Sequence, residues 1–367
     1  MPPNRRLLEQ FLADGTIDLQ KGDIFANMPE PSGPELAWQR LEGMLLGLAI
    51  GDALGNTTES MLPQERRRRY GEIRDYLPNR HVDGRCLGLP SDDTQLTFWT
   101  LEQLLADGEF RPDRVAARFC QGLLYGLGDT VREFLRNYRD KGLPWYRCGP
   151  KSAGNGSLMR IAPLILPHLR SATPDLWVDT ALAAMLTHND SGAIAACLAF
   201  VKILWDLFHL SQAPEPSWWP RTYVAVSHDL EQGRYRPRGG ADLDFSGPIW
   251  QFVAAKVEAA YGRGLSVLEA GRLWYSGAYL LETVPSVLYI LMCHGHDPEM
   301  AIIRAVNDTK DNDTIAALVG AAVGALHGRD ALPERWLAGL TGRTAANDDG
   351  RIFALLDAAR EEWGQSP

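Results

Sequence analysis

Two short clusters of carboxylates and hydroxyls precede apolar helical segments far apart in the chain. The first is SDDT at residues 91–94, ahead of QLTFWTLEQLL, and the second is DNDT at residues 311–314, ahead of IAALVGAAVGAL. Helix capping explains one such cluster, because side-chain oxygens satisfy free N–H groups and negative charge suits the positive end of a helix. Two clusters with more carboxylates than caps need indicate a cation among the carboxylates, although the spacing along the chain does not show that the two clusters meet. Oxygen ligands without histidine or cysteine favour magnesium, manganese or calcium over zinc.

Four further positions carry groups suited to ligand binding. The turn GNGS at residues 154–157 exposes backbone N–H groups that suit a pyrophosphate or a ribose, although by itself it is typical of an ordinary capped loop. Glu59 follows the first glycine-rich segment, and a solvated surface glutamate explains it as well. His188 lies in THND, where a structural histidine is the commoner explanation. Tyr279 precedes ETVPSVLY, where its ring is placed to stack on a ligand.

Helical periodicity dominates the chain from residue 38 onward. Gly43, Gly47 and Gly51 share one face of the first segment, and the small residues at 316, 320 and 324 indicate close packing between helices. No segment shows sustained strand alternation. The sequence predicts an all-α, orthogonal multi-helix bundle of roughly a dozen helices, with the four arginines at 66–69 on a solvated face. Helical segments begin near Asp92, Pro112, Thr130, Ser157, Pro174, Ser191, Ile249, Ser266, Glu282, Pro298, Asn312 and Gly350.

Composition narrows the function classes. The 367 residues include 37 basic and 46 acidic side chains, for a net charge of −9. Nucleic-acid binding is not expected, because neutralisation of phosphates by Lys and Arg supplies most of that affinity. Five cysteines without a CxxC pair favour a reducing compartment. The N-terminus lacks a secretory signal, and Lys202 and Asp206 interrupt the most apolar stretch, 193–210. We therefore expect a cytoplasmic protein without a membrane span.

The first 38 residues differ in pattern from the rest of the chain. They are predicted to form an N-terminal arm, residues 1–38, ahead of a main domain at residues 39–367. Leu7, Leu8, Phe11 and Leu12 form a small apolar stripe, and a Pro-rich linker follows. Such an arm is expected either to dock on its own domain or to bind in a cleft of a partner protein.

The motifs occur in an order that resembles a known family. GMLLGLAIGDALG with Glu59 after it, SDDT, GNGSLMRIAPL, THND, ETVPSVLY and DNDT follow one another along the chain. This order resembles the ADP-ribosylglycohydrolases, the family of dinitrogenase-reductase-activating glycohydrolase, between about residues 38 and 364. The resemblance implies an all-helical fold with a binuclear magnesium site, two Mg²⁺ ions or Mn²⁺ in their place. Many members have Gly-Gly before the second acidic motif, whereas this chain has Thr309-Lys310. The metal ligands implied by the resemblance are Ser91, Asp92, Asp93, Asp311, Asp313 and Thr314.

The resemblance also implies a reaction, hydrolysis at ribose C1″ that removes ADP-ribose from a modified target. The target is expected to be an ADP-ribosylated protein, with arginine as one candidate acceptor. Asp52 is expected to support the metal site from outside, and Arg160 either to pair with a phosphate or to form a structural salt bridge. The implied catalytic residues are Glu59, Asp93 and Asp313. The substrate-binding residues are Asn155, Gly156, Ser157 and His188, together with Tyr279 as a stacking ring.

Two other functions are compatible with parts of this pattern. The first is a binding or immunity protein that grips and blocks an ADP-ribosyltransferase, such as a bacterial toxin, through residues 1–38. The second is a metal phosphohydrolase, which uses the same ligand chemistry but is disfavoured by the motif order. Release of ADP-ribose, as opposed to inorganic phosphate or AMP, distinguishes these functions.

Overall fold

A computed structural model of the chain describes residues 2–31, 38–345 and 348–364, so residues 32–37 of the predicted linker lie outside the described residues. The described residues form sixteen α-helices and no β-strand, and none of these helices has the length and apolarity needed to cross a bilayer. The prediction of an all-α bundle is confirmed. The helices are α1 (Pro3–Asp14), α2 (Trp38–Gly55), α3 (Pro63–Tyr70), α4 (Asp92–Asp107), α5 (Pro112–Phe119), α6 (Asp129–Leu135), α7 (Asp175–Met185), α8 (Ser191–Leu207), α9 (Trp218–Ser227), α10 (Ile249–Gly262), α11 (Val267–Trp274), α12 (Leu280–His294), α13 (Pro298–Asp308), α14 (Asn312–His327), α15 (Glu334–Gly339) and α16 (Arg351–Trp363).

The helix boundaries differ from the prediction in two ways. After Ser157 the chain forms 3-10 turns at Leu158–Arg160 and Ala162–His168 in place of an α-helix. Pro163 and Pro167 explain this, because proline lacks the N–H that an α-helix uses and clashes with the preceding turn. Helix α3 corresponds to the helix face predicted at residues 66–69. The helices α9 and α15 are absent from the prediction, and α15 has only 6 residues, too few to show clear periodicity.

Helices α2 and α14 form the most extensively packed pair of the bundle. Gly47 and Gly320 lie so close that a Cβ on either residue would overlap the carbonyl oxygen of the other. At one end of the pair, a Cβ on Gly55 would lie 2.5 Å from the Asp313 Cα. The prediction that the small residues at 316, 320 and 324 pack closely against another helix is confirmed, and the structure identifies that helix as α2. This backbone contact fixes the C-terminal end of α2 against the first turn of α14.

The N-terminal arm packs against the main domain. Leu8 and Phe11 of α1 are buried, and so is Phe25 in the turn that follows. Nδ2 of Asn4 donates a hydrogen bond to the Asp179 carboxylate of α7 at 2.7 Å. Apolar side chains that would carry partner binding are therefore used within the chain, and the partner-binding alternative stays a prediction.

Arg66 is fully buried, so the prediction of a solvated face at residues 66–69 is wrong at this position, although the next three arginines are exposed. Helix α3 directs its guanidinium between two segments that flank the acidic clusters. Nε donates to the Thr58 hydroxyl at 2.9 Å, and Nη1 donates to the Thr309 carbonyl at 2.8 Å. Arg66 therefore connects the segment after α2 to the segment before α14.

Candidate active site

The two acidic clusters meet in one cleft of about 530 Å³. Its walls are formed by the segment after α2, the first turns of α4 and α14, the turn at residues 154–156 and the loop before α12. The fold therefore brings together two clusters that are far apart in the sequence. The candidate residues that line the cleft are Glu59, Asp92, Asp93, Asn155, Gly156, His188, Tyr279, Asp311, Asp313 and Thr314.

Asp52 of α2 caps the N-terminus of α4. Its buried carboxylate accepts hydrogen bonds from the Ser91 and Thr94 hydroxyls, both at 2.6 Å. It also accepts from the N–H groups of the same two residues, at 2.8 and 3.1 Å. Because Asp52 satisfies these donors, the helix start does not need Asp92 or Asp93 as a cap. Both carboxylates are left to face the cleft.

Two asparagine side chains orient the second cluster. Nδ2 of Asn312 donates to the Gly55 carbonyl at 2.9 Å and to the Thr58 hydroxyl at 3.0 Å, which ties the first turn of α14 to the end of α2. Nδ2 of Asn155 donates to the Asp311 carboxylate at 2.6 Å. The GNGS turn therefore orients an acidic side chain as well as lining the cleft.

The arrangement of oxygen donors fits a divalent cation. Carboxylate oxygens of Glu59, Asp311 and Asp313 all lie within 4.8 Å of one another, and this group contains no histidine or cysteine. Oδ1 of Asp93 is buried and has no hydrogen-bond partner among the described residues. A buried carboxylate oxygen without a partner is strongly unfavourable, and a cation would supply that partner. Oxygen donors of this kind suit Mg²⁺ or Mn²⁺.

Both burial and repulsion between neighbouring carboxylates raise the pKa values of the acidic side chains in this cleft. Burial, followed by the charge of Asp52, raises the pKa of Asp92 to about 8. Burial raises the pKa of Asp311 to about 7 and the pKa values of Asp93 and Asp313 well above the usual range of a carboxyl group. The cleft therefore favours uptake of positive charge, either as protons or as cations.

Hydrogen bonding behind His188 determines which ring nitrogen carries its proton. Nη2 of Arg160 donates to the Thr187 hydroxyl at 2.8 Å, and that oxygen lies 2.9 Å from Nδ1 of His188. Arginine can only donate, so the hydroxyl proton has one acceptor among the described residues, the His188 Nδ1. Because Nδ1 accepts this proton, the imidazole proton is assigned to Nε2. A Cβ added at Gly156 would lie 3.3 Å from this Nε2 atom.

His188 is held in its neutral form. Burial, followed by the charge of Arg160, lowers the pKa of His188 to about 3. The side chain therefore acts as a neutral donor towards the cleft and not as an acid. Arg160 itself is buried, does not line the cleft and forms no salt bridge with any described residue, so the expected structural salt bridge is absent there and the phosphate contact stays a prediction. It orients Thr187 and His188 instead.

Comparison with known proteins identifies the family. The family model described as ADP-ribosylglycohydrolase matches residues 33–365. The chain belongs to the ADP-ribosylglycohydrolase family. A related ADP-ribosyl-[dinitrogen reductase] glycohydrolase of Rhodospirillum rubrum is 27% identical, over 89% of this chain and 99% of the relative. The ADP-ribosylarginine hydrolase Tri1 of Pseudomonas putida (strain GB-1) is 26% identical, over 83% of this chain and 75% of the relative. The Homo sapiens ADP-ribosylhydrolase ARH3 is 28% identical, over 83% of this chain and 90% of the relative.

A solved structure shares the fold of this ADP-ribosylglycohydrolase family member. It is described as an ADP-ribosylglycohydrolase-related protein complex, and it matches with a TM-score of 0.62 and 25% identity over 90% of this chain and 99% of the other. The predictions of the family, of the fold class and of a hydrolase that acts on ADP-ribosyl bonds are confirmed.

Thr309 and Lys310, which stand where many family members have Gly-Gly, do not place a side chain in the cleft. Nζ of Lys310 lies 4.4 Å from the centre of the Tyr275 ring, and Lys310 does not line the cleft. The N–H groups of Lys310 and Asp311 donate to the Ser276 carbonyl at 3.1 and 2.9 Å. Tyr275 and Ser276 have φ values of 76° and 47°, a conformation that residues other than glycine rarely adopt. This loop holds the backbone before DNDT while the lysine side chain points elsewhere.

Two of the predicted ligand residues do not line the cleft. The Ser157 side chain is fully buried, and its oxygen accepts a weak hydrogen bond from the Cys197 thiol at 3.5 Å. Its contact with substrate stays a prediction. Ser91 is turned towards Asp52, but its hydroxyl donates in that bond and keeps lone pairs for a cation. A role for Ser91 as a metal ligand is compatible with this geometry.

Several residues in the cleft carry no clear signal in the sequence. Gly126 has φ of 67°, and a Cβ there would lie 2.6 Å from Oδ1 of Asp92, so only glycine lets this loop pass over the first acidic cluster. The repeated glycines of GLLYGLG at residues 122–128 could have indicated it. No pattern marks Arg238, which lies in an irregular segment between α9 and α10. The residues missed are Gly126, Asp129, Thr130, Ser152, Met159 and Arg238.

Proposed function

We propose that this chain uses a pair of divalent cations, Mg²⁺ or Mn²⁺, to hydrolyse the bond between ribose C1″ and the modified side chain of an ADP-ribosylated protein. The observation that carries the proposal is the convergence of Asp92, Asp93, Asp311 and Asp313 with Glu59 in one cleft. The buried Asp93 oxygen without a partner supports a cation among them. Membership of the family supports the reaction class.

The residues of the cleft have distinct parts in this reaction. Bound cations would polarise the ribose hydroxyls and lower the pKa of a water molecule, and Asp93, Asp311 and Asp313 would hold them there. Glu59 lies at the exposed mouth, where it can accept a proton and pass it to solvent; burial and the charge of Asp52 raise the pKa of its carboxyl.

The opposite wall of the cleft positions the ligand. The neutral His188 donates from Nε2 to an oxygen of the sugar, and the ring of Tyr279 offers a flat apolar surface for stacking. The backbone of the turn at residues 154–156 suits a phosphate or a ribose. The transition state has oxocarbenium character, which the surrounding carboxylates stabilise.

We propose arginine as the first acceptor to test. Two relatives support it by their name, the ADP-ribosylarginine hydrolases Tri1 of Pseudomonas putida and Serratia proteamaculans. We also propose a cytoplasmic location, which suits the five cysteines, all unpaired in the structure. Blocking of an ADP-ribosyltransferase toxin through residues 1–38 remains a separate hypothesis about a partner.

The test is release of ADP-ribose from an ADP-ribosylarginine protein. Release should require Mg²⁺ or Mn²⁺ and stop in EDTA, and Asp93→Ala and Asp313→Ala should abolish it while the fold is kept. Glu109→Ala, which removes an exposed carboxylate outside the cleft, is the matched control. Normal turnover by Asp313→Ala in the presence of EDTA would contradict the proposal. Release of phosphate or AMP in place of ADP-ribose would indicate a phosphohydrolase.

A further inference from the structure

The cleft has an unusual charge for a site that binds a diphosphate. Its lining contains six carboxylates, those of Glu59, Asp92, Asp93, Asp129, Asp311 and Asp313. ADP-ribose carries two negative phosphates, which these carboxylates repel. Cations held by the acidic clusters would offset part of that repulsion. Among the described residues, the lining has one cationic side chain, Arg238, because His188 is neutral.

Arg238 is held at the wall of the cleft by two neighbours. Its Nε and Nη2 atoms lie 3.3 and 3.4 Å from the two oxygens of Glu282, which is almost completely buried. Its guanidinium also lies 4.5 Å from the centre of the Tyr279 ring. A planar fork held on a carboxylate and over an aromatic ring has a fixed orientation although the side chain is 57% exposed.

Part of the guanidinium remains free to bind a ligand. Arginine has five N–H donors, and in the described residues only Nε and Nη2 have a protein acceptor, Glu282. The donors left over include both N–H groups of Nη1. Such a planar group matches the paired oxygens of a phosphate.

Arg238 lines the same cleft as the turn that suits a phosphate. Tyr279, under the Arg238 guanidinium, forms a bridge with Gly154, and the Leu280 N–H donates to the Ala153 carbonyl at 2.9 Å. The segment that carries Arg238 and the GNGS turn therefore meet at one edge of the cleft.

We propose that Arg238 binds the pyrophosphate of ADP-ribose and gives the cleft its preference for diphosphate ligands over nucleosides. This inference rests on the proposed function and adds the recognition of one part of the substrate. Tyr279 and Glu282 are positioning residues for Arg238, and Arg238 in turn covers one face of the Tyr279 ring. A ligand ring that stacks on Tyr279 would then use the other face.

The experiment measures binding of ADP-ribose, ADP and adenosine to the full chain at one fixed concentration of Mg²⁺. Arg238→Gln should weaken ADP-ribose and ADP by about tenfold, because an exposed charge-assisted contact is lost, and should leave adenosine within about twofold. Arg238→Lys should restore part of the affinity, since it keeps the charge but loses the fork. Arg236→Gln is the matched control, because it removes the same charge from the same segment outside the cleft lining.

Three results would overturn the inference. Equal weakening of all three ligands would show that Arg238 acts only by supporting Tyr279, and equal strengthening would show that it merely covers the ring. Unchanged binding of ADP-ribose would exclude the contact. Failure of the unmodified protein to bind ADP-ribose is a different result, because it overturns the proposed function and the inference together.

Discussion

Replacing Arg66 with methionine removes a buried cation that joins the two segments flanking the acidic clusters. The guanidinium donates to the Thr58 hydroxyl at 2.9 Å and to the carbonyls of Met61 and Thr309 at 3.0 and 2.8 Å. Methionine is long enough to fill much of the space, but it leaves the two carbonyls without these donors, while the Thr58 hydroxyl keeps its hydrogen bond from Asn312. Each buried acceptor without a partner costs about 1–3 kcal/mol.

The net effect is smaller than the sum of these terms. Burial lowers the pKa of Arg66 to about 10, which shows that burying this charge is itself unfavourable, and Arg66→Met removes that penalty. We expect the free energy of unfolding to fall by about 3 kcal/mol. Hydrolase activity should fall as well, because Glu59 and the DNDT segment lose their common support.

Denaturation in urea measures the change, with Arg68→Met as the control. Arg68 lies on the same helix and is exposed, so its replacement should change the free energy of unfolding by less than about 0.5 kcal/mol. If Arg66→Met and Arg68→Met have equal stability and activity, the buried guanidinium does not hold the site together and the reasoning fails.

Three further predictions concern the mouth of the cleft, its wall and the arm. Glu59→Gln should lower kcat far more than it raises KM, as loss of a transition-state contact does; an unchanged kcat would return Glu59 to a surface role. His188 resists protonation in the fold, so the unfolded chain binds more protons below about pH 6.5 and the free energy of unfolding falls as the pH falls towards 3. His188→Gln should reduce the slope of the free energy of unfolding against pH by up to about 1.4 kcal/mol per pH unit. An unchanged slope would contradict the neutral state assigned to His188. Deleting residues 2–31 should lower Tm, because the apolar contacts of the buried Leu8 and Phe11 are lost. An unchanged Tm together with loss of binding to a transferase would favour the partner hypothesis.

The sequence predicted most of the helices and the acidic residues of the site for physical reasons. Long helices such as α14 bury a continuous apolar surface, and this leaves a periodic pattern. The clusters at 91–94 and 311–314 were visible because they hold more carboxylates than helix capping explains. The small residues of α14 indicated close packing against another helix, and only the structure shows that this helix is α2, whose C-terminal end lies against the first turn of α14.

Other features depend on tertiary contacts that leave no pattern. The run at 66–69 reads as four equivalent arginines, and only the position of α3 determines that Arg66 alone turns inward. Arg160 differs in a similar way, since its partner Thr187 is 27 residues away in the sequence. Arg238 occupies an irregular segment, where periodicity gives no information on side-chain direction. Such residues are recognised only once their neighbours are known.

The site combines an unstable group of charges with a rigid support. The four aspartates of the cleft, whose pKa values are raised by burial and by neighbouring carboxylates, oppose folding unless a counter-charge is present. The support comes from elements that carry no charge into the cleft: the glycine contact of α2 with α14 and the amide of Asn312, which donates to the Gly55 carbonyl. Because this frame does not depend on the carboxylates, replacement of one aspartate by asparagine should remove repulsion without loss of the fold. The carboxylates therefore do not serve stability, and cation binding is the role that we propose for them.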